Sequence, residues 1–360
     1  MHLPPDAQPR HWPPPSYLTL TRGARMAFRD LGPRDGECWL VLHGGPGGAA
    51  HAGLADPLDQ ARMRVLLPDQ RGAGASRPRR GLRGNHLEQL VSDLERLCAE
   101  LGIAQWNVLA GSWGTVLALC YAQRHPQRAG RVVLRGAFRA SRREVVDLLQ
   151  LDPRHDGALR GRGNWPAVDR RSLPVAMAGL ARVFQAGTPG VAARRALRTW
   201  DALEQRSARR GLWRSLLHAC ATPAASPADV ARLRAAWAAL QRARRRLPAV
   251  LAAARRTRAD RRLLAKFRIQ VHYLRHACFL RPGALDAAVR SLAHNGIPSD
   301  WVHGRFDAVC PEANSRRWVE AIDAMRPGLA RLHRPASGHL AGEPRMAEAL
   351  RRVVRLGKPV

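Results

Sequence analysis

Lysine is nearly absent: only Lys266 and Lys358 occur, so 58 of the 60 basic residues are arginines. Acids are few as well, 28 in all, which leaves a formal net charge of +32. A field of that sign attracts polyanions. Aromatic residues, however, make up only 5% of the chain, and the arginines are scattered rather than interleaved with rings on which bases could stack. The composition reads as the arginine-rich usage of a GC-rich coding sequence, and no specific nucleic-acid partner is expected. No run of eighteen apolar residues exists, which excludes a transmembrane helix and leaves no membrane partner expected. Met1 to Tyr17 is broken by six prolines and has no apolar h-region, so it does not read as a secretory signal. No C-x-x-C pair occurs among Cys38, Cys98, Cys120, Cys220, Cys278 and Cys310. Their spacing suggests neither a zinc site nor a disulfide framework, and a reducing, cytoplasmic location is expected.

What is present is ample apolar material, 46% of 360 residues, enough for about two domains or one large domain with an insertion. The first third alternates strand-like runs with helical periodicity. Trp39 to Leu42 is apolar and ends in 43-HGGPGG-48; Val65 to Leu67 ends in 68-PDQRGAGAS-76. Leu87, Leu90, Val91, Leu94, Leu97, Cys98 and Leu101 recur at three and four, with Asn85 as a plausible N-cap and Gly102 as a stop. Asn107 to Leu109 reads as a buried strand, 111-GSWG-114 as a sharp turn, Thr115 to Arg124 as a helix and Val132 to Leu134 as the next strand. Such alternation predicts a mostly parallel sheet flanked by helices. From about Arg139 to Arg281 strand signals vanish and Ala, Arg and Leu dominate. The strand–helix pattern returns at Ile297. The division expected is a Pro-rich leader at 1–16, a core formed by 17–138 and 282–360, and a helical cap at 139–281. Residues 231–268 carry thirteen basic residues and one acid, which reads as a solvated helix face.

The chemistry centres on Ala110-Gly111-Ser112-Trp113-Gly114. A strand turning abruptly into a helix, with small residues beside a serine, is the nucleophile elbow of the α/β-hydrolase fold. The turn is strained, so its neighbours must be small. The hydroxyl is presented at a helix N-terminus, and the following amide can donate to a developing oxyanion. In this fold the acid and the histidine follow the serine in that order. Asp307 after a strand and His339 in a glycine-flanked loop satisfy the order.

The chain resembles the proline iminopeptidases, serine peptidases of the α/β-hydrolase superfamily. The segments that carry the resemblance are 43-HGGPGG-48, 69-DQRGAGAS-76, 110-AGSWGTVLALCYAQRHP-126, 133-VLRGAF-138, 304-GRFDAVCP-311 and 338-GHLAGEP-344. The resemblance implies that Ser112 is the nucleophile, His339 the general base and then acid, and Asp307 the group that orients the imidazole. It implies an oxyanion hole from the Gly45 and Trp113 amides, an acyl-enzyme released by water, and no metal or organic cofactor. Asp69 and Arg71 would fix the loop beside the site, and Glu343 would brace the histidine loop. The implied substrate is a small peptide with N-terminal proline.

The cap departs from the family pattern. Two cap glutamates bind the substrate's free amine in the family, one closing W-x-x-W-E and the other in R-I-E-x-H-Y-F. The second motif reads Arg268-Ile269-Gln270-Val271-His272-Tyr273-Leu274 here. The first best matches Ala235 to Gln241, which puts Gln241 at the glutamate position, 29 residues before Gln270. A rival match, Trp200-Asp201-Ala202-Leu203-Glu204, offers a carboxylate but lies farther away. Gln241 is preferred on its separation. Phe138 would pack on a proline-like ring, and Leu274 would offer less aromatic surface there. With glutamine at both positions the alternative substrate is a neutral ester or amide. The oligomeric state stays open.

Overall fold

A computed structural model describes residues 12–152, 156, 159, 165–185 and 188–356. Most of the expected leader (1–11) and Lys358 lie outside the described residues.

Six strands, all but the last of them read from the sequence, run parallel in one eight-stranded sheet. These are β3 (Glu37–Leu42), β4 (Met63–Pro68), β5 (Trp106–Gly111), β6 (Ala129–Arg135), β7 (Ser299–Val302) and β8 (Ala330–His333). Two further strands, β1 (Ser16–Thr19) and β2 (Arg25–Leu31), were not anticipated. They add antiparallel to one edge, giving the order β1-β2-β4-β3-β5-β6-β7-β8. Their sequences, SYLT and RMAFRDL, interrupt apolar with polar residues, and the partner strand supplies the pairing that local pattern does not announce.

The central strands are buried on both faces, which is why they read as continuous apolar runs. Alternation still sorts their side chains. Leu40, Leu42, Val108, Ala110, Val132 and Leu134 join the core shared with α1 (Leu87–Glu100), α2 (Trp113–Arg124) and a later helix, Ala284–His294. Trp39, Val41, Leu109 and Val133 face the other way, onto Met346, Leu350 and Val353 of the C-terminal helix Pro344–Arg355. Helix α1 buries Leu87, Leu90, Val91, Leu94, Leu97 and Cys98, the stripe read from its spacing, and Gly102 follows at φ +62°. Its N-cap is His86, not Asn85. Asn85 is buried and used elsewhere: its amide donates to Arg71 O and Gly81 O, and its Oδ1 accepts from Tyr273 of the cap.

Between β6 and β7 the chain runs through α3 (Arg142–Leu149), α4 (Leu173–Gln185), α5 (Val191–Ala221), α6 (Pro227–Ala252) and α7 (Arg258–Arg275). Ser226 caps α6 with Pro227 in its first turn. Helices α5 and α6, of 31 and 26 residues, form a long hairpin. It carries its own small core of Leu212, Leu216, Leu233 and Ala236, and Trp213 stacks on Trp237 at 4.7 Å. The buried Arg198–Asp260 pair, with bonds of 2.8 and 2.9 Å, ties α5 to the start of α7. Arg242 to Arg246 of α6 are exposed, as a solvated face requires. The remaining helices are α8 (Ala284–His294), α9 (Ala313–Asp323) and α10 (Pro344–Arg355). Among the described residues, no helix is long and apolar enough to cross a membrane.

Candidate active site

The site lies at the C-terminal ends of the central parallel strands. Ser112 closes β5 and precedes α2 at φ 55°, ψ −126°, a conformation costly for a residue with a Cβ. The surroundings permit nothing larger. A side chain at Gly111 would strike the Arg135 guanidinium, and a Cβ at Gly114 would stand 2.7 Å from Leu42 O. The turn is pinned from both sides: Ser112 N donates to Arg135 O (2.9 Å), and Ser112 O accepts from Thr115 N (2.9 Å) and Thr115 Oγ1 (2.7 Å).

The acid and the imidazole come from loops after β7 and β8. His339 Nδ1 donates to Asp307 Oδ2 at 2.7 Å. Asp307 Oδ1 accepts from the amides of Val309 (2.8 Å) and Cys310 (2.9 Å). His303 Nε2 lies 3.4 Å from Asp307 Oδ2. Burial opposes the Asp307 charge, but His339 and His303 outweigh it and hold the carboxyl far below the ordinary range. Burial lowers the His339 pKa below 6.5, against the pull of Asp307, so the ring is neutral and able to take a proton at neutral pH. Among the described residues no hydrogen bond joins the Ser112 hydroxyl to His339; the serine turn is tied to the histidine loop through Arg135, whose O accepts from Ser112 N. Arg135 Nη1 donates to His339 O. Gly136, at φ +55°, passes beneath the pair, where a Cβ would come within 3.1 Å of the imidazole and 3.2 Å of Asp307 Oδ2.

Gly45 stands on the loop after β3, and Trp113 opens α2 directly after the serine. A small network locks the two together. Gln70 N donates to His43 Nε2 (3.0 Å), Gln70 Nε2 donates to His43 O (2.8 Å), and Trp113 Nε1 donates to Gln70 Oε1 (3.0 Å). The neighbouring Asp69 accepts from Ala50 N and Ala75 N, and Arg71 pairs with buried Asp93. Gln70 is a loop-locking position that the residue pattern did not single out. The string DQRG contained it, but its role needs Trp113 and His43 to be adjacent in space. Glu343 is fully buried and accepts from Gly338 N (2.7 Å) and Ser215 Oγ of α5 (2.6 Å). Burial raises its pKa. It thereby joins the histidine loop to the cap, where a Cβ on Gly211 of α5 would come within 3.1 Å of Gly338 Cα.

Helix α7 crosses the front of the site with one face at i, i+3, i+4 and i+7. A Cβ at Gly47 would meet Lys266 O at 2.5 Å and Ile269 Cβ at 2.9 Å. Tyr273 meets Trp113 edge-on at 4.9 Å. Gln270 stands between these contacts, 2% exposed. Its partner corrects the expectation drawn from sequence separation. Gln270 Nε2 donates to Glu204 Oε1 at 2.9 Å, across 66 residues of chain, and among the described residues no hydrogen bond joins Gln241 to Gln270. Gln241 is only half-buried, on α6 beyond the small hairpin core. The α5–α6 hairpin lengthens the chain between two positions that remain neighbours, so Glu204 of the rival match, not Gln241, stands beside Gln270. Phe138 is half-buried against the main core, its amide on Thr115 Oγ1 (3.2 Å). Leu274 is buried within that core, at 9% exposure.

Residues 40–162 match the alpha/beta hydrolase fold family. An enol-lactonase from Burkholderia xenovorans LB400 shares the fold at 18% identity, with a TM-score of 0.55 over 94% of this chain and 98% of its own. Among curated relatives, a proline iminopeptidase of Xylella fastidiosa strain Temecula1 is 41% identical over 128 residues, 36% of this chain and 41% of that protein. The proline iminopeptidase of strain 9a5c matches almost end to end: 30% identity over 341 residues, 92% of this chain and 93% of its own. The molecule is thus an α/β hydrolase, of the serine hydrolase class. Within that class it belongs to the proline iminopeptidase family.

Proposed function

We propose that this protein hydrolyses a small amide or ester through an acyl-enzyme on Ser112. His339 takes the serine proton and then returns it to the leaving group, and Asp307 holds the tautomer and stabilises the imidazolium. The Gly45 and Trp113 amides bind the developing oxyanion, an interaction worth about 3–4 kcal/mol per donor in comparable sites. Water then releases the acyl group by the same proton relay. The observation that carries this reading is the 2.7 Å His339–Asp307 bond beside a serine held at positive φ. The names of the relatives point to release of N-terminal proline from small peptides, and six free thiols support a cytoplasmic site of action.

A second reading, hydrolysis of a neutral ester or amide, is favoured by Gln270 in the amine-binding motif. Rapid-mixing kinetics with a p-nitrophenyl ester test the acyl-enzyme. A stoichiometric burst of p-nitrophenol is expected wherever deacylation is the slower step, together with complete loss of turnover in Ser112→Ala. Turnover undiminished in Ser112→Ala would reject the mechanism.

A further inference from the structure

The cap holds a cluster that the reaction itself does not use. Glu204 of α5 faces Lys266 and Gln270 of α7, and both of its carboxylate oxygens are engaged. The Lys266 ammonium bonds Oε2, and Gln270 Nε2 bonds Oε1. Lys266 is held a second way, with its ammonium 4.9 Å from the centre of the Phe267 ring. That ring is itself buried and stacked on Trp200 at 4.9 Å. Lys266 is the one lysine among the described residues, in a chain that otherwise uses arginine, and its compact ammonium suits a single carboxylate oxygen. Asp201, one turn before Glu204, accepts from Gln205 Nε2 (2.5 Å), and its pKa is raised by burial and by Glu204. It is not a free anion waiting for a cation.

The opposite is true of one acceptor. Gln270 Oε1 is buried without a hydrogen-bond partner. The amide cannot turn over to satisfy it, because that would set its oxygen against the Glu204 carboxylate. A buried acceptor left empty is costly. It stands on the α7 turn between the contacts to Gly47 and Trp113, beside the elbow.

We propose that Lys266 satisfies Glu204 from within the protein, so that the acyl part of the substrate is uncharged and donates one N–H or O–H to Gln270 Oε1. An N-terminal ammonium would have to displace Lys266 and would leave a second cation in a half-buried pocket. Lys266 is thereby the residue that sets specificity. The inference rests on the reading of Ser112 as nucleophile and deepens it.

Three p-nitroanilides of equal ring size separate the possibilities: L-prolyl, with an ammonium; L-pyroglutamyl, uncharged with a lactam N–H; and cyclopentanecarbonyl, with neither. The parent is expected to turn over the pyroglutamyl compound best, by at least about tenfold in kcat/KM over the prolyl one. Lys266→Met is expected to shift the prolyl-to-pyroglutamyl ratio about tenfold or more toward prolyl, whereas Lys266→Arg keeps the parent order. Gln270→Leu is expected to erase the advantage of the lactam over the cyclopentane. Ratios measured on one sample are independent of the fraction folded. A parent that prefers the prolyl compound, a ratio unmoved by Lys266→Met, or no turnover of any of the three overturns the inference. Labelling by a fluorophosphonate in the same samples separates the levels: a labelled enzyme that prefers proline refutes only the role of Lys266, and an unlabelled one refutes Ser112 as nucleophile.

Discussion

The hydrolase core and the helical cap are constrained by different physics. In the core, glycine backbone passes against other backbone and against the site's own side chains. Gly114 lies where a Cβ would strike Leu42 O, and Gly111 and Gly136 where one would press on Arg135, His339 and Asp307, so change there disturbs the site directly. In the cap, the relevant contacts are between side-chain tips. Glu204, Lys266 and Gln270 trade hydrogen bonds, and one substitution can reassign a partner without moving a helix. A family can therefore keep its reaction and alter its substrate, because the two are written in contacts of unequal rigidity.

The contrast is open to attack in descending order of effect. Ser112→Ala should lower kcat by about 10⁴–10⁶ while circular dichroism stays unchanged, since the triad acts as a unit. Gly136→Ala, whose methyl meets both His339 and Asp307, should cost about 10² or more in kcat with little change in KM, read from steady-state kinetics. Gln70→Leu removes the acceptor for Trp113 Nε1 and the side-chain bond to His43 O, leaving the backbone bond to His43 Nε2. It should reduce kcat about tenfold and destabilise the fold by about 1–3 kcal/mol in urea melts. Gln241→Ala, on the hairpin, should leave kcat/KM within about twofold. A loss there comparable with that of Gln270→Leu would restore Gln241 to the substrate pocket and break the distinction.

The pH dependence sharpens the core side of the comparison. The proposed reaction needs the base form of His339, and burial sets its pKa below 6.5. Activity should fall as pH drops through that lowered value, so the acid limb of kcat/KM against pH should have its midpoint below 6.5. A midpoint above 7 would mean that Asp307 outweighs burial.

Much of the core was legible from short-range pattern. Ser112, Asp307 and His339, the residues proposed for catalysis, are marked by their immediate neighbours: small residues around Ser112, glycine before His339, a strand before Asp307. The stripe of α1 follows from spacing alone. Antiparallel β1 and β2 were hidden because their stability comes from strand pairing. Asn85 passed for a helix cap because its true partners, Arg71, Gly81 and Tyr273, are distant in sequence or belong to the cap. Glu204 was passed over as the neighbour of Gln270 for a related reason. Spacing between two motifs is informative only when the intervening chain keeps its length, and the α5–α6 hairpin adds length without separating Glu204 from Gln270.

Fluorophosphonate modification followed by peptide mass mapping reaches the shared premise most directly. A single adduct on the peptide holding residue 112, absent once that serine becomes alanine, is the expected result. An adduct elsewhere, or equal modification of both proteins, would contradict it.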